Sequence, residues 1–94
     1  MKIEISYSRA ALGFIHKNQN RLTRDKSDGL ILKAVRKIYK VSIESVDVKA
    51  LKGKEGVFRI RKGDIRIVFA LDEDGNIVVV SVNVIDYRGN VYEK

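Results

Sequence analysis

The sequence predicts an α+β domain in which two helices cover one face of an antiparallel sheet. Three observations carry that prediction. From Val57 to Phe69, apolar and basic residues alternate with period two on both sides of Gly63-Asp64. Such alternation marks strands with one buried face. Alternation resumes beyond Phe69 and folds back at Asp74-Gly75, a type I′ hairpin signal. Ahead of both hairpins, apolar residues recur at three- and four-residue steps, the period of a helix face.

Taken in order, Ile3, Ile5 and Tyr7 alternate with polar neighbours and predict a strand over residues 3 to 7. Ser8 is placed to cap a helix. Ala10, Ala11, Leu12, Phe14 and Ile15 predict that short first helix, ending near Asn18, where Asn18-Gln19-Asn20 is a turn cluster. A second helix is expected from about Leu22 to Lys40. Its apolar stripe is Leu30, Ile31, Ala34, Val35, Ile38 and Val41; its other face carries Lys26, Lys33, Arg36, Lys37 and Lys40. Gly29 lies inside it at a cost of about 1 kcal/mol relative to alanine. The two helices are expected to form a hairpin. Residues 42 to 56 are less regular, with Val46 and Val48 as core contacts and Lys52-Gly53-Lys54-Glu55-Gly56 as a basic loop.

The first hairpin then turns on Gly63-Asp64. Glycine at the first loop position suits a type II′ turn, which needs a positive φ there. This register pairs Lys62 with Ile65, Arg61 with Arg66, Ile60 with Ile67 and Phe58 with Phe69. It gathers Arg59, Arg61 and Arg66 on the face away from the core. Like charges opposed across a ladder repel, so an arginine pair there implies an anionic partner. The second hairpin is expected to pair Leu71 with Val78, Phe69 with Val80, Ile67 with Val82 and Ile65 with Val84. All of these are apolar, so both turns agree on the buried face. Ser81 and Asn83 join the arginines on the other. Two helices cover one sheet face, which leaves the arginine face bare.

The 94 residues make one domain, 1–94, and 45% hydrophobic composition suffices for a modest core. One histidine and no cysteine leave no ordinary zinc site, and no metal or cofactor is expected. No apolar run approaches the ~18 residues of a membrane helix, and the first residues lack a signal-peptide core. A cytoplasmic protein with no membrane contact is the expectation. The formal charge is +7 and the pI near 9.8. Residues 49 to 66 hold Lys49, Lys52, Lys54, Arg59, Arg61, Lys62 and Arg66 against Glu55 and Asp64; after Ile67 the balance reverses. Basic charge on strands rather than loop tips points to a phosphate backbone, an anionic surface or an acidic protein, the plainer reading being a solvated basic face.

Leu51-Lys52-Gly53, the run Gly56 to Phe69, and the tail Arg88-Gly89-Asn90-Val91-Tyr92 resemble the signature of the RelE/ParE toxin superfamily, over essentially the whole chain. The resemblance implies the toxin of a type II toxin–antitoxin pair, held by a cognate antitoxin protein. Operator DNA would be met only through that antitoxin. RelE-like members cut mRNA in the ribosome, beside 16S rRNA, and arrest translation and growth; ParE-like members inhibit DNA gyrase. The tail arginine and tyrosine favour the RelE-like branch, an mRNA interferase. A relative that binds nucleic acid or antitoxin without chemistry is the further alternative.

RelE-like cleavage uses the RNA's own 2′-hydroxyl to attack the adjacent phosphorus, without a metal. The resemblance assigns Arg59, Arg61, Arg66 and Arg88 to stabilising charge on the phosphorane, a task that suits the planar guanidinium fork. Tyr92 would stack on a base or move a proton. Lys52, Lys54, Lys62 and Asn83 would hold the RNA. Some relatives carry lysines where this chain has Arg59 and Arg61, and arginine effectively cannot act as a base. Proton transfer is left to Tyr92 and Glu55. Ile65 stands where the family has an aromatic. The plainer readings are that the arginines pair with an antitoxin's acids, that Tyr92 packs on the sheet, that Tyr87 is structural, and that His16 is a surface residue.

Overall fold

The structure, a computed structural model, describes residues 2–43 and 45–89. The chain runs β1 (Lys2–Tyr7), α1 (Arg9–Lys17), α2 (Arg24–Ile38), β2 (Asp47–Ala50), β3 (Val57–Lys62), β4 (Ile65–Asp74) and β5 (Ile77–Tyr87). The five strands form one sheet in the order β1-β5-β4-β3-β2. β1 lies parallel to β5 and the other pairs are antiparallel. The expected strand, helix pair and three-stranded meander are all present, and β2 is added as an edge strand. No described helix is long and apolar enough to cross a membrane.

Local chemistry fixes both helices. Ser8 caps α1, its hydroxyl accepting from Ala11 N at 3.0 Å and donating to the Asn83 carbonyl at 2.7 Å. Ala11, Phe14 and Ile15 face the core, while Leu12 is exposed. α2 begins later than expected because Thr23 caps it, accepting from Lys26 N at 3.2 Å. It also ends earlier. Lys40 takes a positive φ of 58°, with Val41 N bonded to Arg36 O and Lys40 N to Lys37 O. That is a Schellman stop. Val41, expected in the core stripe, is therefore turned out and 61% exposed. A left-handed lysine is strained by about 1 kcal/mol, so Lys40→Gly is expected to stabilise the domain by about that much. A rise in the urea midpoint checks it.

The core lies between the helices and one sheet face. Ile31, Ala34 and Val35 of α2 and Phe14 and Ile15 of α1 pack with Ile60, Ile67, Phe69, Val80 and Val82. One polar lock joins β1 to α2. The Tyr7 hydroxyl donates to the Asp28 carboxylate and sits 2.8 Å from Ser27 Oγ, which is fully buried. Burial, reinforced by the hydrogen bond to Asp28, pushes the Tyr7 hydroxyl well above its ordinary pKa. Tyr7→Phe leaves Ser27 without that partner and is expected to cost about 1–2 kcal/mol in urea unfolding.

The first hairpin has the expected register, Arg61 opposite Arg66 and Phe58 opposite Phe69. Gly63 takes φ +60°, and Asp64 has no positive φ, as a type II′ turn requires. The second hairpin differs. Its loop is Gly75-Asn76, closed by Asp74 opposite Ile77, so Leu71 meets Val80 and Phe69 meets Val82. The slip of two residues keeps Val78, Val80 and Val82 in the core, because side chains alternate with period two. A bulge between Val68 and Phe69 then shifts β5 by one more. Ile67 meets Ile85 and Ile65 meets Tyr87, so Val84, expected in the core, turns to the other face opposite Val68.

Candidate nucleic-acid interface

No described helix packs on the second face of the sheet. Two rows of paired side chains cross it: Asp47–Arg61–Arg66–Asp86, and Lys49–Arg59–Val68–Val84. The like-charged pair at the centre of the first row is thus flanked by one carboxylate on each side. Beyond Tyr87, the Arg88 backbone N–H donates to Asp64 O at 2.6 Å. That bond holds Arg88 beside the Gly63-Asp64 turn, whose Asp64 carboxylate pairs with Arg21 over the Tyr87 ring. Register therefore brings Arg61 and Arg66 together at the turn end of the uncovered face, with the Arg88 backbone held next to that turn.

Their guanidinium groups do not share one target. Arg59 Nη1 lies 3.0 Å from Asp47 Oδ1, and Arg61 Nε lies 2.9 Å from Asp47 Oδ2. Arg66 Nη1 turns back to the hairpin tip, donating to Gly63 O at 2.8 Å and Ile65 O at 3.1 Å. Arg66 is only 6% exposed, where the sequence predicts an open cradle. Its Nη2 and Nε have no partner among the described residues. Arg88 is exposed. Asp86 accepts from Tyr87 N at 2.7 Å and makes no ion pair with Arg66 among the described residues.

The hydrogen bond from Arg59, helped by the charges of Arg59 and Arg61 against a smaller desolvation cost, holds the Asp47 carboxyl below the usual carboxylate range. A carboxyl depressed by folding keeps this contribution above its unfolded pKa and loses it as pH falls through the folded value. The Asp47 clamp is therefore closed near neutral pH.

The other expected site residues are dispersed. Lys52 and Lys54 are exposed in the loop between β2 and β3, as is Glu55. That loop is at the opposite end of β3 from the Gly63-Asp64 turn, a six-residue strand away, about 20 Å at strand rise. Lys62 pairs with Ile65 and so lies on the helix side of the sheet. There it lines a groove of about 330 Å³ with Arg21, Lys26, Leu30 and Lys33. Lys62, expected to hold RNA, thus lies on the other side of the sheet from Arg59, Arg61 and Arg66, as its pairing with Ile65 requires. Asn83 is exposed at the β5 bulge on the uncovered side. Tyr92 lies outside the described residues.

Two further residues, not expected from the sequence, belong to this face: Asp47 and Asp86. Tyr87 is a packing residue: its ring meets Phe14 edge-on at 5.1 Å, and its hydroxyl donates to Asn18 Oδ1 at 2.6 Å. His16 is exposed on α1.

No protein-family model and no curated protein matches the sequence. Solved structures do match the fold. A YoeB/ParE toxin from Agrobacterium tumefaciens superposes with a TM-score of 0.61 at 15% identity, covering 94% of this chain and 99% of its own. A YafQ variant from E. coli gives 0.63 at 11% identity, over 98% and 100%. The RelE–RelB complex from Pyrococcus horikoshii gives 0.60 at 18% identity, over 96% and 99%. At these identities the likeness lies in the backbone path, shared from end to end, and the chain has the fold of the RelE/ParE toxin superfamily.

Proposed function

We propose that this chain is the toxin of a type II toxin–antitoxin pair and that it cuts mRNA on the ribosome without a metal. The observation that carries the reading is the Arg61–Arg66 pair, opposed on the face that no described helix covers. Like charges opposed across a ladder repel, and in the free protein Asp47 on Arg61 and the hairpin-tip carbonyls on Arg66 offset part of that repulsion. A phosphate backbone laid across them reverses the sign of the interaction. Structural neighbours solved as toxin–antitoxin complexes, such as RelBE2 from Mycobacterium tuberculosis (TM-score 0.50, 20% identity), support an antitoxin as the protein partner.

In this reaction the 2′-oxygen attacks the adjacent phosphorus, leaving a cyclic phosphate on one fragment and a 5′-hydroxyl on the other. Charge builds on the non-bridging oxygens, and fixed cations stabilise it. Arg66 is the best held, because two backbone carbonyls fix one nitrogen, and at 6% exposure it meets a phosphate through a small part of its fork. Arg61 stands opposite it on β3, and the Arg88 backbone is held at the neighbouring turn. Glu55, a strand's length away, is not the base for a phosphate bound at Arg66, which leaves proton transfer to Tyr92 or to groups of the ribosome.

The test is to express the protein and map mRNA ends with and without active translation. New 5′-hydroxyl ends that depend on translation are the expected result. Intact mRNA with DNA-damage signalling would instead indicate the ParE-like alternative, gyrase inhibition. Growth arrest with neither signature would leave the fold without this chemistry.

A further inference from the structure

The arginines that face outward are not equally free to take a phosphate. We propose that Asp47 is a built-in competitor for RNA phosphate, occupying the anion site between Arg59 and Arg61 until a phosphate displaces it. The inference rests on reading the uncovered face as an RNA interface.

Asp47 offers each oxygen to a different guanidinium, at 3.0 Å and 2.9 Å. These are the distances at which a bridging phosphate would be held. The two arginines stand two residues apart on β3, so their forks converge on a single anion on one face. A carboxylate and a phosphate cannot both fill that place. Asp47 is also able to leave. It sits on the four-residue edge strand β2, and its side chain is 39% exposed, beside Arg61 at 52%. Arg66 differs, because neutral backbone carbonyls hold it and they do not compete for its charge.

Three roles for Asp47 can be told apart. If Asp47 only aims the guanidiniums, removing its charge weakens binding. If it adds nothing but overall negative charge, removing any acid from that face has the same effect. If it competes, removing its charge strengthens binding more than removing a remote acid does. Asp72 is the remote acid. It lies on β4, opposite Val79 rather than any cation, and among the described residues its side chain accepts only from Glu73 N.

The probe is a short 2′-O-methyl oligouridylate, which carries phosphates but cannot be cut. Its affinity is measured at several salt concentrations for the wild type, Asp47→Asn, Asp47→Ala and Asp72→Asn, with urea unfolding to verify each fold. Asp47→Asn is expected to bind about fivefold tighter. Its log–log salt slope should steepen by about 0.7, one additional single-strand phosphate contact. Asp47→Ala should move in the same direction, and Asp72→Asn should stay near wild type. Wild-type binding that is unchanged or weakened in the folded Asp47 variants overturns the inference and leaves the interface standing. Equal gains from Asp72→Asn overturn it too. Failure of every protein to bind the probe, down to low salt, overturns the interface reading along with it.

Discussion

Arg66→Ala is expected to reduce RNA cleavage by about 100-fold or more, the scale for losing one fixed donor to a developing oxyanion. Growth arrest should be relieved in parallel. The residue is chosen over its neighbours for a geometric reason. Arg59 and Arg61 spend their hydrogen bonds on Asp47, and Arg88 is exposed, whereas Arg66 is packed at 6% exposure with one nitrogen fixed by Gly63 O and Ile65 O. A guanidinium that is already ordered loses little entropy when it meets the transition state. The two carbonyl contacts also bear on the fold. Losing them should cost about 1–2 kcal/mol at the hairpin tip, enough to shift a urea midpoint without unfolding the domain.

Arg66→Lys separates charge from shape. It keeps a cation near the phosphate but not the planar fork, so activity between that of alanine and wild type is expected. The measurement is primer extension on a translated message, with circular dichroism verifying each variant. A folded Arg66→Ala protein that still cuts at the wild-type rate would remove this residue from the chemistry. One that still arrests growth with mRNA intact would shift the reading to the gyrase branch.

Much of this face was legible because strand parity is a strong signal. The period-two run around Gly63-Asp64 placed Arg59, Arg61 and Arg66 together, and the observed register agrees pair for pair. The acids beside them were not legible. β2 is four residues long, too short for alternation to rise above chance, and its partner is met only across a loop. Asp47-Val48-Lys49 does alternate, which puts Asp47 on the side of Lys49 once β2 is known to be a strand. β5 carries two competing phases. Val78, Val80, Val82 and Val84 share one sequence parity, while Ile85 and Tyr87, which face the same core, have the other. Only a bulge reconciles them, and it inserts Asn83 and turns Val84 out. The side of the sheet that Lys62 occupies was implied by its pairing with Ile65, since paired residues share a face.

Phe69→Ala is the substitution expected to damage the fold most, by about 3–5 kcal/mol. Phe69 is fully buried on β4, with Phe58 stacked against it at 5.8 Å and Val82 opposite. Its strand is the middle one of five, so a void there is bounded by β3 on one side and β5 on the other. Neither can close in without breaking ladder bonds. The bulge immediately before Phe69 makes the site stiffer still, because the one-residue shift of β5 is fixed at that step. Domains of this size hold about 5–15 kcal/mol in total, so the variant should be partly unfolded near 37 °C and show a far lower urea midpoint. Val41→Ala is the matching control. Sequence periodicity gives both residues to the core, but Val41 lies beyond the Lys40 stop and is 61% exposed, so its loss should change stability by less than about 0.5 kcal/mol. Equal damage from the two would mean that α2 continues through Lys40 and buries Val41. Damage confined to Phe69 places the centre of the core where β4 crosses beneath the helices.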